Sequence, residues 1–296
     1  MSNWRAIEFF AGVGGFARAV DGRFSIQMAF DINEHAGRWY RSQFSHPVRN
    51  QSIDGLKSND LAALDANLWW LSPPCQPFTM KGRQLDWDDN RNRGFRNLMT
   101  LLPQMRPKVI AMENVPGFQD SQTHLAFQQL IKTHGYKITE WCLCPSSLGI
   151  PNQRRRYYAI AASVPIAIEL EQGRVQTVGE FVQSKYDSDP KLQLPSHVLQ
   201  KYKKGIHICD ADSTITRCFT AGYGRNWIKS GSYLRYSGGV RIFHPLEVAA
   251  LLGQPVDEIP DGLTYRQAWK CLGNSLSLFI MRRIVDALIG NESDLD

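Results

Sequence analysis

The sequence predicts a doubly wound α/β fold, followed by a smaller and less regular domain. Three observations support this prediction. Strand-like and helical segments alternate over residues 1–162. A glycine-rich turn follows the first strand-like segment. Two later strand-like segments are short and wholly or largely apolar, as expected for strands that helices cover on both faces of a parallel sheet.

The alternation can be followed from residue 5 onwards. Residues 5–10 have a strand pattern, 12–15 form a tight turn, and a helical stretch begins near Phe16. The next predicted strands are 25–30, 68–71, 108–112 and 156–161, and the predicted helices between them are 33–44, 95–105 and 122–134. We therefore expect these strands to share one sheet with helices on both faces.

The second half of the chain has a different character. Beyond Ser163, polar residues and glycine become frequent, and the strand–helix rhythm is lost until an apolar helix begins at Pro245. A last amphipathic helix is predicted at 276–289. We predict a first domain formed by 1–162 and completed by 263–290, with a small domain at 163–262.

Composition limits the class of protein. The formal charge of +6 and the pI near 9.0 fit a polyanionic partner such as nucleic acid. With 43% hydrophobic and 21% charged residues, the composition is that of a folded globular protein. No apolar run reaches the length of a membrane span, and Glu8 interrupts the stretch that a secretory signal would need. We expect an intracellular, cytoplasmic protein that binds no membrane.

The glycine-rich turn is a candidate site for a nucleotide-like cofactor. Gly12, Gly14 and Ala17 satisfy the pattern G-x-G-x-x-G/A after a strand. Asp31 closes the second strand, where an acid can hydrogen-bond a ribose. The same pattern suits a nicotinamide dehydrogenase equally well. The glycines could also form an ordinary turn, with Asp31 capping the next helix.

Cys75 is a candidate nucleophile. It lies in a segment with three prolines, 72–78, directly after the apolar strand 68–71, so its thiol would be held on a stiff loop at the carboxyl end of a strand. A buried structural cysteine would fit the same segment. The six cysteines show no paired C-x-x-C spacing, which argues against structural zinc and against a disulfide scaffold.

These segments occur in the motif order of the cytosine-5 methyltransferase family, which the chain resembles along nearly its whole length. The residues that carry the resemblance are 10–15, Pro73-Pro74-Cys75-Gln76, Glu113-Asn114-Val115, 154–156 and Gly273-Asn274-Ser275. The resemblance implies a Rossmann-like methyltransferase domain with a small target-recognition domain. It also implies S-adenosylmethionine as the methyl donor. Methyl transfer from a sulfonium calls for no metal.

The resemblance also implies roles for individual residues. Cys75 would be the nucleophile, Glu113 the acid that binds the cytosine, and Arg154 and Arg156 would position the base and the cysteine loop. The implied cofactor-binding residues are Phe10, Gly12, Val13, Gly14, Asp31, Ile32, Ser52, Ile53, Pro73, Asn274 and Ser275. The implied substrate-binding residues are Pro74, Gln76, Asn114, Val115, Cys218, Phe219, Thr220 and Tyr223.

The chemistry explains the need for a thiol and an acid. Carbon 5 of cytosine is a weak nucleophile, so a thiolate must first add to carbon 6. Negative charge then grows towards ring N3, where a carboxylic acid such as Glu113 can stabilise it, and burial beside Val115 would favour the protonated form. Glu113 could instead cap the following helix. A stacked base is out of reach of a thiol, so the target must be flipped out or unpaired.

We expect Arg154 and Arg156 to alternate along the start of a strand, so that both project to one side and Arg155 points away. A solvated basic face or a phosphate contact would explain the same pattern.

Several segments resemble the tRNA branch of the family, which modifies an anticodon-loop cytosine. They are 218–220, 222–224, 231–232, 72–79, 82–84 and 148–152, together with Asp31 and Asn33. Most of the family has Glu at position 31 and Gln at position 152, so Asp31 and Asn152 also agree with this branch. We favour tRNA as the substrate, with aromatic and basic residues between Tyr223 and Tyr236 available to stack on unpaired bases and to meet phosphates. A sequence-specific DNA methyltransferase is the alternative.

Two other classes explain less of the sequence. A Rossmann oxidoreductase would use the glycine-rich turn but would leave the segments around Cys75 and Glu113 without a purpose. A binding module without activity predicts the loss of Cys75 or Glu113, and both are present.

Overall fold

The computed structural model describes residues 3–78 and 86–295, and the chain divides into two compact units. The first unit is Met1–Leu143, Arg155–Glu169 and Arg282–Asp296; the second is Cys144–Arg154 and Leu170–Met281. These units cut the chain at other points than the sequence-based boundaries, because residues 144–154 and 263–281 belong to the second unit.

A seven-stranded sheet forms the centre of the first unit. Its strands are β1 Arg5–Phe9, β2 Ser25–Phe30, β3 Val48–Arg49, β4 Leu68–Leu71, β5 Val109–Asn114, β6 Lys137–Leu143 and β7 Arg156–Ala162. Their order in the sheet is β3-β2-β1-β4-β5-β7-β6. Strands β1 to β5 are mutually parallel, whereas β7 is antiparallel to both β5 and β6.

Five helices accompany these strands in the described part of the first unit. They are α1 Gly15–Val20, α2 Glu34–Gln43, α3 Ser58–Ala62, α4 Arg93–Met105 and α5 Gln122–Thr133. Trp69 and Trp70, neighbours on β4, are each 1% exposed, so both faces of this strand are covered. The predicted α/β fold is confirmed, and the strands predicted at 25–30 and 68–71 are found at those residues.

The strand order defines where a ligand can bind. From β1 the chain moves outward to β2 and β3, then returns to β4 on the other side of β1. The order therefore reverses between β1 and β4, and open α/β sheets bind ligands beyond the carboxyl ends of the strands at such a point. The glycine-rich turn follows β1 and the Cys75 segment follows β4, so both lie at this edge of the sheet.

The second unit contains a three-stranded sheet that the sequence analysis did not predict. Its strands are β8 Ile208–Cys209, β9 Tyr233–Tyr236 and β10 Gly239–Ile242, in the order β10-β9-β8. The helices of this part are α6 Ser196–Tyr202, α7 Pro245–Leu251 and α8 Tyr265–Gly273. The last long helix, α9 Leu278–Gly290, contains the boundary between the two units. Among the described residues, no helix combines the length and the apolar character that crossing a membrane requires.

Candidate functional site

The glycine-rich turn after β1 has an unusual backbone. Phe10 and Gly12 have φ values of 57° and Gly14 has 85°, so three residues of this turn lie in the left-handed region. A Cβ atom on Gly14 would overlap the Phe44 ring. Glycine is therefore required at position 14 for both conformation and space.

Asp31 holds this turn from the end of β2. Its Oδ2 accepts a hydrogen bond from the N–H of Gly12 at 2.7 Å, and its Oδ1 accepts one from Asn33 at 2.7 Å. Burial raises the pKa of Asp31, and the two N–H donors act in the opposite direction. The adjacent Ile32 is 71% exposed. An exposed apolar side chain therefore lies next to the Asp31 carboxyl group in the sequence, directly after β2.

A buried acid beneath the turn was not identified from the sequence. Glu8 on β1 is 1% exposed. Its carboxyl group accepts hydrogen bonds from the Phe16 N–H at 3.1 Å and the Tyr40 hydroxyl at 2.8 Å, and this hydroxyl lies 2.6 Å from His46 Nε2. The available signal was one acid inside the otherwise apolar run 6–9.

Backbone contacts fix the Cys75 loop. The N–H of Ser72 donates to the carbonyl of Phe9 at 3.2 Å, and the N–H of Phe78 donates to the Cys75 carbonyl at 3.0 Å. A Cβ on Gly117 would lie 2.6 Å from the Phe78 carbonyl oxygen, so glycine permits this close approach. Cys75 itself is half-buried. Its thiol is therefore on a positioned loop without being sealed in the core.

The loop is also tied to the end of β5. Asn114 is 1% exposed; its Nδ2 donates to the Pro73 carbonyl at 3.4 Å, and its Oδ1 accepts from the N–H of Val115 at 2.8 Å. Because β4 and β5 are neighbouring parallel strands, the residues after both strands meet at the same edge. The Cys75 loop and Glu113, near the end of β5, are thus brought to the same edge of the sheet.

Glu113 forms an ion pair with Arg156. Arg156 Nε lies 3.2 Å from Glu113 Oε1, and the two side chains are 14% and 11% exposed. The pairing of Glu113 with Tyr158 and of Asn114 with Tyr157 places the first residues of β7 beside the last residues of β5. This pair therefore orients the Glu113 carboxyl group in a largely buried setting.

Arg91, which the sequence analysis did not single out, lies close to the nucleophile segment. Its guanidinium is held by Asp89 through Nε at 2.9 Å and Nη2 at 2.6 Å, while Nη1 lies 3.5 Å from Gln76 Oε1. Hydrogen bonds from Arg91 lower the pKa of Asp89 to about 2, so this carboxylate is ionised at neutral pH.

The expectation that Arg154 and Arg156 project from one strand is wrong. Strand β7 begins at Arg156, and Arg154 lies before it, in the second unit. The buried guanidinium of Arg154 donates to the carbonyl oxygens of Phe219 and Gly273, each at 3.1 Å, and to that of Ser275. Backbone carbonyls in its own unit, not strand alternation, therefore determine its direction.

Arg154 joins two segments that the sequence analysis predicted to bind ligands. Its Nη1 lies 3.5 Å from Cys218 Sγ. A Cβ on Gly273 would overlap the backbone of Thr220 and Ala221, so this glycine lets the two segments pack together. Within the second unit, residues 218–220 and 273–275 thus form one cluster around Arg154.

Two predicted substrate-binding residues lie inside the second unit. Phe219 is 3% and Tyr223 is 1% exposed, and their rings pack edge to face at 4.9 Å. The Tyr223 hydroxyl donates to Ser232 O at 2.5 Å and accepts from the N–H of Phe243 at 3.0 Å. In this structure the protein core covers both rings, which is at odds with the expectation that Tyr223 stacks on an unpaired base.

The remaining predicted residues differ in accessibility. Ile32, Ser52, Gln76 and Asn274 are exposed, Phe10, Pro74, Val115, Cys218 and Thr220 are half-buried, and Val13, Ile53, Pro73 and Ser275 are buried. Thr79 and the segment 82–84, which carried part of the tRNA-branch resemblance, lie outside the described residues. In the described ranges, no group of three or more His, Cys, Asp or Glu side chains is arranged to hold a metal ion.

Comparisons with known proteins agree on the kind of domain. A family model described as C-5 cytosine-specific DNA methylase matches residues 4–178, more than half of the chain. A tRNA (cytosine(38)-C(5))-methyltransferase of Schizosaccharomyces pombe is 28% identical, over 96% of both proteins. A DNA (cytosine-5)-methyltransferase of Dictyostelium discoideum is also 28% identical, over 98% of this chain and 95% of that protein. The solved structure of the Entamoeba histolytica methyltransferase EhMeth matches with a TM-score of 0.90 and 28% identity, over 100% of each chain.

Proposed function

This chain belongs to the C-5 cytosine-specific DNA methylase family, and from this premise we propose that it methylates carbon 5 of a cytosine in tRNA, with Cys75 as the nucleophile. One observation carries the proposal: the Cys75 loop follows β4, Glu113 lies near the end of the neighbouring parallel strand β5, and Asn114 hydrogen-bonds the loop at Pro73. A nucleophile and an acid at one edge of the sheet, beside the glycine-rich turn, are what addition to a cytosine ring requires.

Cys75 would add to carbon 6 of the base, so that carbon 5 becomes nucleophilic. The hydrogen bonds at Ser72, Asn114 and Phe78 hold the backbone on both sides of the thiol, which reduces the entropy lost on attack. After methyl transfer, a base such as solvent water would take the proton from carbon 5. The electrons of that C–H bond would form the carbon 5–carbon 6 double bond as the Cys75–carbon 6 bond breaks, with its electrons returning to sulfur. This elimination restores both the aromatic base and the thiolate.

Glu113 and Arg156 would hold the base during this addition. The carboxyl group of Glu113, oriented by Arg156 Nε at 3.2 Å, would hydrogen-bond the N3 and N4 edge of the cytosine. Negative charge that develops at N3 would be stabilised there, in a setting from which water is largely excluded. Arg156 thus acts as a positioning residue through Glu113.

S-adenosylmethionine, when bound, supplies an activated methyl group. The first unit offers a cradle that fits such a donor: a turn in which a side chain on Gly14 has no room, a carboxylate at Asp31, and the exposed apolar side chain of Ile32. Asp31 would accept hydrogen bonds from ribose hydroxyls and Ile32 would contact the adenine. We propose Asn274 and Ser275 as further contacts to the donor.

Two observations support tRNA over DNA. The Schizosaccharomyces pombe relative, which matches over nearly its whole length, is named a tRNA methyltransferase. Residues 218–224 and 148–152 also resemble the tRNA branch. The name of the Dictyostelium discoideum relative supports DNA as the second candidate substrate.

The test is methyl incorporation from a radiolabelled donor into total tRNA and genomic DNA, offered side by side. We expect label in tRNA with the wild-type protein and none with Cys75→Ala. Cys142→Ala is the matched control, because Cys142 is also half-buried but lies on β6. Bisulfite sequencing of the tRNA would locate the mark. Label in DNA alone would contradict the tRNA proposal, and equal labelling by Cys75→Ala would contradict the nucleophile.

A further inference from the structure

We infer that a basic surface of the second unit binds phosphate groups of the RNA substrate. This surface, called the basic ridge here, consists of Lys201, Lys203, Lys204, Arg217 and Lys229. The inference rests on the proposed function and adds to it a binding surface made of residues to which neither the motif resemblance nor the methylation chemistry gives a role.

The sequence supplies the ridge from two stretches without acidic residues. No Asp or Glu occurs between Asp189 and Asp210, and none occurs between Asp212 and Glu247. The first stretch carries Lys201, Lys203 and Lys204, and the second carries Arg217 and Lys229 among its basic residues. Each stretch therefore has a local positive charge well above that of the chain as a whole.

The fold joins the two stretches. Arg217 Nη1 donates to the Gly205 carbonyl at 3.2 Å, and the N–H of Tyr233 donates to the His207 carbonyl at 2.9 Å. A Cβ on Gly205 would lie 3.1 Å from Ile228, so the turn after Lys204 packs directly against the residue before Lys229. Lysines that are distant in the sequence therefore flank one backbone contact.

The five ridge side chains are exposed. Among the ion pairs found in the described residues, none involves a member of the ridge. Asp210 and Asp212 lie between the two stretches in the sequence, and Asp210 accepts a hydrogen bond from the Ser213 hydroxyl at 2.8 Å. A cluster of like charges destabilises the folded chain unless a counter-charge approaches it.

The composition of the ridge fits a nucleic-acid backbone better than exposed bases. Lysine ammonium groups bind phosphates as point charges, without reading sequence. Two of the rings predicted to stack on bases lie in the core, since Tyr223 and Tyr233 are 1% and 0% exposed, and Trp227 and Tyr236 are half-buried. Base recognition therefore cannot use Tyr223 or Tyr233, whereas the ridge would fix a folded RNA by its phosphates.

The test compares two variants that lose the same charge. Lys204→Gln with Lys229→Gln removes one lysine from each stretch of the ridge. Lys132→Gln with Lys137→Gln is the control, because both lysines are exposed and lie in the first unit. Lys132 is near the end of α5 and Lys137 is the first residue of β6. Circular dichroism and thermal melting would verify that both variants are folded.

Binding of labelled tRNA transcript would be measured by fluorescence anisotropy from 50 to 200 mM salt. Each lost phosphate contact lowers the slope of log affinity against log salt by about 0.7 to 0.9. Two lost contacts mean that the wild type loses about tenfold more affinity than the ridge variant over this range. We expect the ridge variant to have a higher KM for tRNA, an unchanged kcat, and unchanged affinity for S-adenosylmethionine.

A ridge variant with the wild-type slope and affinity would overturn the inference, as would an equal loss in the control variant. Weakened binding to duplex DNA with unchanged binding to tRNA would overturn it as well. The proposed function fails separately, if the wild type does not methylate tRNA, since the salt dependence of tRNA binding is measured without turnover.

Discussion

Replacing Glu8 by Gln should remove a large part of the pH dependence of stability. Glu8 is 1% exposed beneath the glycine-rich turn and contacts Phe16 N–H and the Tyr40 hydroxyl. Burial raises its pKa from 4.5 to about 8, although both hydrogen bonds act in the opposite direction. The side chain is therefore mostly neutral at pH 7 in the folded protein and ionised in the unfolded chain.

The magnitude follows from this difference in pKa. Each pKa unit corresponds to about 1.4 kcal/mol, so a shift from 4.5 to about 8 amounts to about 5 kcal/mol. Because the pKa in the folded state is raised, this stability is fully present below pH 4.5 and is lost as the pH rises through 8. The free energy of unfolding should thus fall by about 4 kcal/mol between pH 5 and pH 8.5 through Glu8 alone.

Urea unfolding of wild type and Glu8→Gln, followed by tryptophan fluorescence at pH 5.5, 7 and 8.5, would measure this effect. Gln keeps the shape and stays neutral, so the wild type should lose stability over this range relative to the variant. The raised pKa of Asp31 adds a slope of the same sign, but it is present in both proteins and cancels in the difference. His46→Gln tests the sign within the same network, since His46 lies 2.6 Å from the Tyr40 hydroxyl. Burial lowers the pKa of His46, so its ionisation costs stability as the pH falls, which is opposite to the effect of Glu8. Parallel pH profiles of wild type and Glu8→Gln would refute the reasoning.

Further predictions concern the proposed site. Gly14→Ala should destabilise the protein by about 2 kcal/mol and abolish binding of S-adenosylmethionine in calorimetric titration, because the methyl group would overlap Phe44. Arg156→Met should lower kcat by about 10²-fold in the tRNA assay, with Arg156→Lys retaining more activity, since the Glu113 carboxyl group loses its partner; equal kcat in all three proteins would contradict this. Asn114→Ala should cost about 1 kcal/mol in unfolding experiments and lower kcat more than it raises the KM for tRNA, because the hydrogen bond to Pro73 is lost.

Apolar strands and short motifs were the features that the sequence analysis could predict. The strand at 68–71 is apolar throughout, so its limits were evident, and the predicted family resemblance is confirmed by the family model and the relatives. Strand β6 was not predicted because Glu140 interrupts the apolar pattern of its segment. In the structure Glu140 points to hydrogen-bond partners within the fold. This carboxylate accepts hydrogen bonds from His124 at 2.6 Å and from Tyr157 at 2.5 Å. A polar network across three elements leaves no periodic signal in any one of them.

The second unit was less predictable for a related reason. Strands β8 to β10 are two to four residues long, too short for alternation to be recognised. Arg241 looks like a surface residue in the sequence, yet it is 0% exposed and pairs with Glu247 at 2.7 Å and Asp187 at 2.8 Å. The aromatic residues around Tyr223 lie in the core of this unit for the same reason. The side chains that cover them are distant in the sequence, so no local pattern reveals their burial.

Strand β6 has a consequence for the proposed active site. If β7 followed β5 through helix α5 alone, without β6 between them, it would run parallel to β5. Its first residue would then lie at the edge where β5 begins. Strand β7 has seven residues, which span about 20 Å, so in that orientation Arg156 would be far from Glu113. Because β6 takes the parallel place and β7 returns antiparallel to it, β7 begins where β5 ends. The direction of β7, and with it the 3.2 Å contact between Arg156 and Glu113, thus depends on β6. Apart from the two-residue β3, β6 is the strand of this sheet that the sequence pattern did not predict.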